Sequence, residues 1–176
     1  QKKSKMENIL YIITGATGGL GLSLFKQLNK PSKDYQNQLV LIGRNKEKLN
    51  EMLSGQELKF NNVHIYSSDL AECNAGEISN FFKKLKWLEY SKVILINNAS
   101  TILPIKQLHN LNDNEVRYSI ELNLVAPILL TQQFMSYCNM YKKNSAFVIN
   151  ISSGVSKIPI EGWGLYCISK SALNML

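Results

Sequence analysis

The sequence predicts an α/β fold in which helices cover both faces of a parallel sheet. Two patterns within its 176 residues carry this prediction. Five short runs rich in Val, Ile, Leu, Tyr and Phe alternate with longer segments of helical period, which is typical of repeated βαβ units. Small or polar residues follow each short run, as expected where a buried strand ends at the edge of a sheet. We therefore predict a doubly wound sheet in a three-layer αβα arrangement.

The elements follow from these patterns in chain order. We predict strands at residues 9–14, 38–43, 63–67, 92–97 and 146–151. Their apolar composition predicts burial on both faces of the sheet. We predict helices at residues 20–29, 46–52, 76–88, 114–141 and from 165 to 176. No repeat, low-complexity tract or linker divides the sequence, so residues 1–176 are predicted to form one domain.

The fourth predicted helix, residues 114–141, is apolar around most of its circumference. Its apolar side chains are those of Val116, Ile120, Leu122, Leu124, Val125, Ile128, Leu129 and Phe134. Such a helix needs cover on more than one side. The sheet can cover one side, and a second copy of the chain can cover the other, giving a homodimer or homotetramer that also uses the Tyr166 helix. Burial within a single chain is the alternative.

The composition is that of an ordinary globular protein, with 45% hydrophobic and 19% charged residues. Its three cysteines, Cys73, Cys138 and Cys167, lack the clustered spacing of a zinc site, which predicts free thiols, no metal and a cytoplasmic location. The apolar run at 9–13 is too short to cross a membrane. The net charge of +7 comes from scattered lysines, which argues against nucleic acid and favours a small anionic ligand.

A glycine-rich loop joins the first predicted strand directly to a helix. Its residues are Thr14, Gly15, Ala16, Thr17, Gly18, Gly19, Leu20 and Gly21. Glycines let the chain turn tightly and let backbone N–H groups approach a pyrophosphate at the positive end of the helix. This context predicts a Rossmann-type dinucleotide-binding loop, and a simple tight turn is the alternative. The spacing fits both TGxxxGxG, through Gly19, and GxxGxxG, through Gly18.

The end of the second strand predicts which dinucleotide binds. NAD-binding units of this type place an acidic residue near this point to hold the ribose 2′-hydroxyl. Here the residue after Gly43 is Arg44. A guanidinium group suits a 2′-phosphate, and no carboxylate is present to repel it, so NADP(H) is the predicted cofactor. A solvated arginine at a strand end is the alternative.

Two further strand ends supply candidate cofactor contacts. Asp69 and Leu70 follow the third strand, where the Asp69 carboxylate can either accept from an adenine amino group or cap the next helix. Asn97, Asn98 and Ala99 follow the fourth strand at the edge where ligands bind in open α/β sheets. The rival role for the two asparagines is to form a buried turn.

A candidate reaction site follows the fifth strand. Ser152 and Ser153 lie at its end, and Tyr166 and Lys170 stand four residues apart in the next helix. That spacing places the ammonium beside the phenol, where it favours the phenolate form. A phenol tuned in this way can donate a proton to a carbonyl oxygen as a hydride arrives. The pair alone is common on helix surfaces, but its position in this order of elements makes chance a poor explanation.

Together, these motifs resemble the short-chain dehydrogenase/reductase family over essentially the whole chain. The likeness rests on the glycine loop, the turn at 97–100, Asn123, Ser153 and the Tyr166/Lys170 pair. It implies the TGxxxGxG form of the loop, although Ser100 departs from the family's usual NNAG glycine. It also implies that Tyr166 is the proton donor, that Lys170 tunes it and binds the nicotinamide ribose, that Ser153 holds the substrate oxygen, and that Asn123 holds a relay water.

Within the family, the segments at 149–153 and 162–167 resemble sepiapterin reductases and bacterial benzil reductases. This likeness implies NADPH-dependent reduction of a ketone in a vicinal dicarbonyl, with Trp163 either stacking on the substrate or packing internally. Family members continue with two more strands and a substrate lid, so we expect the chain to be incomplete at its C-terminus. A non-catalytic NADP(H) sensor is one alternative. A sugar-nucleotide epimerase or dehydratase is another, which the turn at Asn97 disfavours.

Overall fold

The sheet has the predicted parallel, doubly wound topology. The computed structural model describes residues 6–54 and 63–176. Within them the strands are β1 (Glu7–Thr14), β2 (Tyr35–Gly43), β3 (Val63–Ser67), β4 (Lys92–Asn97) and β5 (Ala146–Asn150). They pair in parallel in the order β3-β2-β1-β4-β5. The strand order reverses beside β1, so a ligand crevice is expected at the carboxyl ends of β1 and β4.

Helices connect the strands and flank the sheet. They are α1 (Gly19–Leu28), α2 (Lys46–Ser54), α3 (Ala75–Phe82), α4 (Asp113–Ile120), α5 (Ala126–Met140) and α6 (Gly164–Leu173). A π-helical turn at Glu121–Val125 joins α4 to α5, and short 3₁₀ turns occur at Trp87–Glu89, Leu108–Asn110 and Gly154–Ser156. None of the helices within residues 6–54 and 63–176 is both long and apolar enough to cross a membrane.

Alternating side chains of the central strands feed two separate cores. In β1, Leu10 and Ile12 belong to the core formed with α3 and α5, whereas Ile9 and Ile13 belong to the core formed with α1 and α2. All four are buried. A strand that contributes to both cores must be apolar at every position, because successive side chains point to opposite faces. This accounts for the continuous apolar runs on which the strand predictions rest.

The prediction that every strand is buried on both faces is wrong for the two edge strands, because no residue of β3 or β5 is buried. The apolar side chains of β5 are the more exposed. Phe147 and Ile149 are 53% and 45% exposed. The strand lies at the edge of the sheet, beside β4, and so has a strand neighbour on one side within the described residues. Apolar composition therefore indicated strand formation correctly but did not indicate how completely this strand is covered.

The predicted helix at 76–88 ends six residues early, at Phe82. The chain then turns so that the indole of Trp87 enters the core, where its Nε1 donates to the Phe82 carbonyl at 2.8 Å. The indole stacks on Tyr137 at 5.4 Å between ring centroids. Burying this large aromatic side chain outweighs the weak preference for continuing the helix.

The predicted helix at 114–141 is interrupted at its centre. The N–H of Ala126 donates to the carbonyl of Glu121, five residues back, which defines the π-helical turn. Pro127 follows at once and has no N–H, so the carbonyl of Asn123 loses the donor that an α-helix would give it. Such turns are frequent at functional sites in helices.

Candidate active site

The glycine loop needs glycine at particular positions. Gly15 and Gly19 adopt left-handed conformations, with φ of 65° and 52°. A Cβ at Gly15 would lie 2.8 Å from the Ala99 Cα, and one at Gly21 would overlap the Gly15 carbonyl oxygen. Gly18, in contrast, is extended at φ −162° and faces open space. The backbone thus requires the glycines of the TGxxxGxG pattern and makes no such demand at Gly18.

Side chains from β1 and the segment after β4 lock this loop to the sheet. The Thr14 hydroxyl accepts from the N–H groups of Asn98 and Ala99, both at 2.9 Å. The Asn98 amide donates to the Thr14 carbonyl at 2.9 Å and to the Gly15 carbonyl at 3.2 Å. The alternative role, in which Asn98 forms a turn, thus applies to its side chain, which holds the glycine loop in place.

Asn97 also uses its side chain internally. It is 2% exposed, and its side-chain Nδ2 donates to the Thr131 hydroxyl at 3.1 Å and to the Asn150 side-chain oxygen Oδ1 at 2.8 Å. These bonds connect the ends of β4 and β5 to α5. Any contact between a cofactor and Asn97 or Asn98 would therefore have to come mainly from their backbone groups.

A cavity of about 190 Å³ opens beside the glycine loop at the carboxyl ends of the strands. Its walls are formed by Gly15, Ile42, Gly43, Arg44, Ser68, Asp69, Leu70, Ala99, Ser100, Thr101, Tyr118 and Leu122. The strand ends that the sequence predicted to hold the adenosine half of a dinucleotide thus meet around one opening. Tyr118 and Thr101 were not among the predicted residues. One sequence feature could have indicated that Tyr118 lines the cavity: it lies four residues before Leu122, on the same side of the same helical segment.

Asp69 faces this cavity and does not cap the next helix. Its carboxylate accepts from the Ala71 N–H at 3.0 Å and from the Tyr118 hydroxyl at 3.1 Å. The N-cap of α3 is Asn74, which forms a reciprocal capping box with Glu77. The helix-capping alternative for Asp69 is therefore wrong, and its carboxylate lies where a ligand can reach it.

On the other side of the site, Lys170 is anchored beneath Tyr166. Lys170 is 2% exposed, and its Nζ donates to the Ile151 carbonyl at 2.7 Å. The same Nζ lies 5.5 Å from the centroid of the Tyr166 ring. Burial lowers the pKa of Lys170 to about 8. The i, i+4 spacing thus places the ammonium against the phenol, as predicted.

The two serines at the end of β5 differ in what they contact. The Ser152 hydroxyl donates to the backbone carbonyl of Lys170 at 3.4 Å. The Ser153 hydroxyl accepts a long, 3.5 Å bond from the Val155 N–H and keeps its own proton available to donate. The half-buried Ser153 is therefore the better placed of the two to bind a substrate oxygen.

Asn123 is fully buried and its side-chain amide is already engaged. Its Oδ1 accepts from the Thr101 N–H, and its Nδ2 donates to the Thr101 carbonyl, both at 2.8 Å. A relay water would therefore be held by the Asn123 backbone carbonyl, from which Pro127 removes the helical donor, and not by the amide. The relay role of Asn123 stays a prediction, and its backbone carbonyl is the group available for it.

Comparisons with known proteins agree with this arrangement. A family model described as short chain dehydrogenase matches residues 10–176. Benzil reductase ((S)-benzoin forming) of Bacillus cereus is 35% identical over 167 residues, covering 93% of this chain and 64% of that protein. Sepiapterin reductase of Bos taurus is 33% identical over 173 residues, covering 95% and 64%. The chain thus spans 64% of the length of each of these relatives.

A solved structure gives the same result for the fold. A metagenomic short-chain oxidoreductase in complex with NADP superposes with a TM-score of 0.78 at 26% identity, covering 97% of this chain and 73% of that one. The parallel sheet, the glycine loop and the Tyr166/Lys170 pair occur here in the order expected from the sequence. From this agreement and the match of the family model over nearly all of its length, the chain belongs to the short chain dehydrogenase family.

Proposed function

We propose that this protein is an NADPH-dependent carbonyl reductase that reduces a ketone, or one carbonyl of a vicinal dicarbonyl, to the alcohol. The observation that carries the proposal is the Lys170 ammonium, buried beside the Tyr166 ring and held by the Ile151 carbonyl. Burying a lysine is costly unless its charge is used or paired. The Lys170 charge has such a use if it stabilises the phenolate that Tyr166 forms when it donates its proton.

The roles of the reacting groups follow from their positions. When bound, the cofactor supplies the hydride. Tyr166 donates its phenolic proton to the carbonyl oxygen, and Ser153 donates a hydrogen bond that orients the same oxygen. Lys170 stabilises the phenolate that remains, because at neutral pH a group with a pKa near 8 is still mostly protonated. A water on the Asn123 carbonyl is then placed to return a proton to the site.

The nucleotide side fits an NADP(H) cofactor. Gly15 and Gly21 pack the loop against Ala99 and Asn98 with no room for a Cβ, which fixes the loop at the N-terminus of α1, where a pyrophosphate can bind. Thr17, Gly18, Gly19 and Leu20 complete the proposed contacts of the loop, and a Cβ at Gly18 or Gly19 would meet no protein atom, which leaves room for a cofactor there. At the far end of the cavity, Arg44 is the cation suited to a 2′-phosphate. An Arg44→Asp change should move the preference from NADPH toward NADH, and an unaltered ratio of the two dissociation constants would contradict this role.

The substrate proposal rests on the relatives and on the apolar rim near Tyr166. The relatives are named for benzil and sepiapterin, both carbonyl compounds with flat ring systems. Exposed apolar side chains, among them Leu103, Ile105 and Ile160, occur in the two loops that meet at Gly162. The Trp163 ring packs edge-on against Tyr166 at 6.3 Å, which supports internal packing as much as stacking on a substrate.

The test is NADPH oxidation by the full chain with benzil, sepiapterin and simple ketones, measured beside NADPH binding. We expect oxidation that depends on the carbonyl compound and saturates with its concentration. Tight NADPH binding without turnover on any of these compounds would instead favour the alternative, a non-catalytic NADP(H) sensor or interaction protein. That result would refute the reductase proposal while leaving cofactor binding in place.

We also propose assembly into a homodimer or homotetramer through α5 and α6. Ile128, Met135 and Met140 on α5 and Ile168 on α6 are 41% to 64% exposed, so apolar surface on both helices lacks cover within the described part of the chain. Light scattering behind size exclusion should give a mass of two or four chains, and a monomer at micromolar concentration would refute this. Free thiols at Cys73, Cys138 and Cys167 support the proposed cytoplasmic location.

A further inference from the structure

We propose that Tyr118 is a positioning residue that sets the preference for NADP(H) by holding Arg44 in place through its phenolic hydroxyl. The proposal rests on the NADP(H) cofactor of the proposed function and adds a residue to it. The carrying observation is a chain of two hydrogen bonds across the mouth of the nucleotide cavity. Arg44 Nη1 donates to the Tyr118 hydroxyl at 2.9 Å, and that hydroxyl donates to Asp69 Oδ2 at 3.1 Å.

Arg44 needs such support because little else fixes its guanidinium group. The residue is exposed at the end of β2, and its remaining side-chain hydrogen-bond donors are directed to no protein group in the described structure. A free arginine side chain loses rotamer entropy on binding a ligand. One hydrogen bond that orients the guanidinium in advance reduces that loss, and four of its five N–H donors are left for a phosphate.

Tyr118 is itself held on a rigid platform. It lies in α4, whose first turn is fixed by a reciprocal capping box between Asn112 and Glu115. Lys106 also bonds the Glu115 carboxylate from the neighbouring loop. A hydroxyl mounted on a capped helix can define the position of a long, flexible partner, whereas two long surface side chains bonded to each other cannot.

The hydroxyl also separates two opposite charges. A direct ion pair between Arg44 and Asp69 would neutralise the guanidinium group and compete with a phosphate for it. With the phenol between them, the guanidinium and the carboxylate each form one hydrogen bond with the same oxygen. Arg44 keeps its other N–H donors, and Asp69 keeps its other acceptor positions. Burial and the neighbouring carboxylate of Asp69 raise the pKa of Tyr118, so the hydroxyl remains a donor to Asp69 at neutral pH.

The test is a Tyr118→Phe change, which keeps the ring in the cavity wall and removes only the hydroxyl. Calorimetric titration of the full chain with NADPH, NADH, and adenosine 2′,5′-bisphosphate against 5′-AMP measures binding without turnover. We expect affinity for NADPH and the bisphosphate to fall about three- to tenfold, with that for NADH and 5′-AMP unchanged. In an Arg44→Ala background the same change should have no further effect. Tyr137→Phe is the matched control, because its hydroxyl bonds Ser79 far from the cavity.

The outcomes separate this inference from the proposed function. An equal fall in affinity for phosphorylated and unphosphorylated nucleotides would overturn it, since that pattern means a damaged cavity wall. A full additional loss in the Arg44→Ala background would overturn it too, because Tyr118 would then act without Arg44. If the unchanged protein itself binds NADH as well as NADPH, the cofactor proposal fails, and that result is visible before any variant is made.

Discussion

The nucleotide side and the reaction side of this site are built in different ways. On the nucleotide side, the Thr14 and Asn98 side chains bond nearby backbone, and the Asp69 carboxylate accepts from the Ala71 N–H and the Tyr118 hydroxyl. We propose that the loop backbone, the Arg44 head group and the remaining lone pairs of Asp69 are left for recognition. On the reaction side Lys170 and Asn123 are firmly anchored, while Ser153 has one long bond. Exposed apolar loops surround that side.

The difference suggests what each side has to recognise. A dinucleotide brings the same phosphate and adenosine groups to every turnover, so a rigid loop held by internal hydrogen bonds can be complementary to those groups before they arrive. A reacting carbonyl needs a proton donor that changes its charge during the reaction, so the group that stabilises this charge has to be fixed in advance. Changes on one side should therefore leave the function of the other side largely intact.

Lys170→Met is expected to have the largest effect, and it tests this separation from the reaction side. Without the ammonium, Tyr166 loses the charge that stabilises its phenolate, so the turnover number should fall by about 10²- to 10⁴-fold. Affinity for the adenosine half of the cofactor, measured with adenosine 2′,5′-bisphosphate, should be unchanged. Lys143→Met is the matched control, because Lys143 is also partly buried and donates to a carbonyl, that of Tyr90, outside the site. A similar fall in the control would mean general damage.

Gly21→Ala tests the separation from the nucleotide side, with a smaller effect. The added methyl would meet the Gly15 carbonyl and the Asn98 amide, so either the loop or its lock has to move. Overpacking of this kind costs about 1–3 kcal/mol, and we expect cofactor affinity to fall by about tenfold or more. Gly76→Ala is the control, because Gly76 lies in the first turn of α3, outside the cavity, and this variant should bind normally. Equal losses of cofactor affinity in both variants would show that binding does not depend on glycine at position 21.

The smallest expected effect is a pH dependence of stability. Burial lowers the pKa of Lys170 to about 8 from an unfolded value near 10.5, so between these values the unfolded chain binds more protons. The contribution of Lys170 therefore makes the free energy of unfolding rise as the pH increases from 8 toward 10. Cys138 acts in the opposite direction, because burial raises its pKa to about 11, but it does so equally in wild type and Lys170→Met. Urea unfolding of both proteins at pH 7.5, 8.5 and 9.5 isolates the difference, and parallel curves would contradict the assignment.

Much of this site could be read from the sequence because it depends on local spacing. The glycine loop follows a strand, Tyr166 and Lys170 lie one helical turn apart, and parallel strand ends necessarily share an edge. These features are fixed by chain connectivity. The strand bounds at Val63–Ser67 and Lys92–Asn97 were predicted for the same reason, since apolar runs there begin and end abruptly.

The features that sequence reasoning missed depend on contacts between distant residues. The bond from Arg44 to Tyr118 joins positions 74 residues apart, and the pairing of Asn123 with Thr101 spans 22. A π-helical turn adds one residue and hardly changes the spacing of apolar residues. The interruption of the predicted helix at 114–141 could therefore not be predicted from that spacing. Likewise β2 begins at Tyr35, three residues before its predicted start, because pairing with Glu7 extends it through polar residues.

The most direct test of the central claim is the rate of carbonyl-dependent NADPH oxidation by Tyr166→Phe, compared with its NADPH affinity. Tyr141→Phe serves as control, since that ring packs on Trp87 in the core. We predict that Tyr166→Phe loses the reaction by about 10²-fold or more while binding NADPH as the unchanged protein does. Undiminished turnover in this variant would contradict the account, because the proton would then come from a group other than Tyr166.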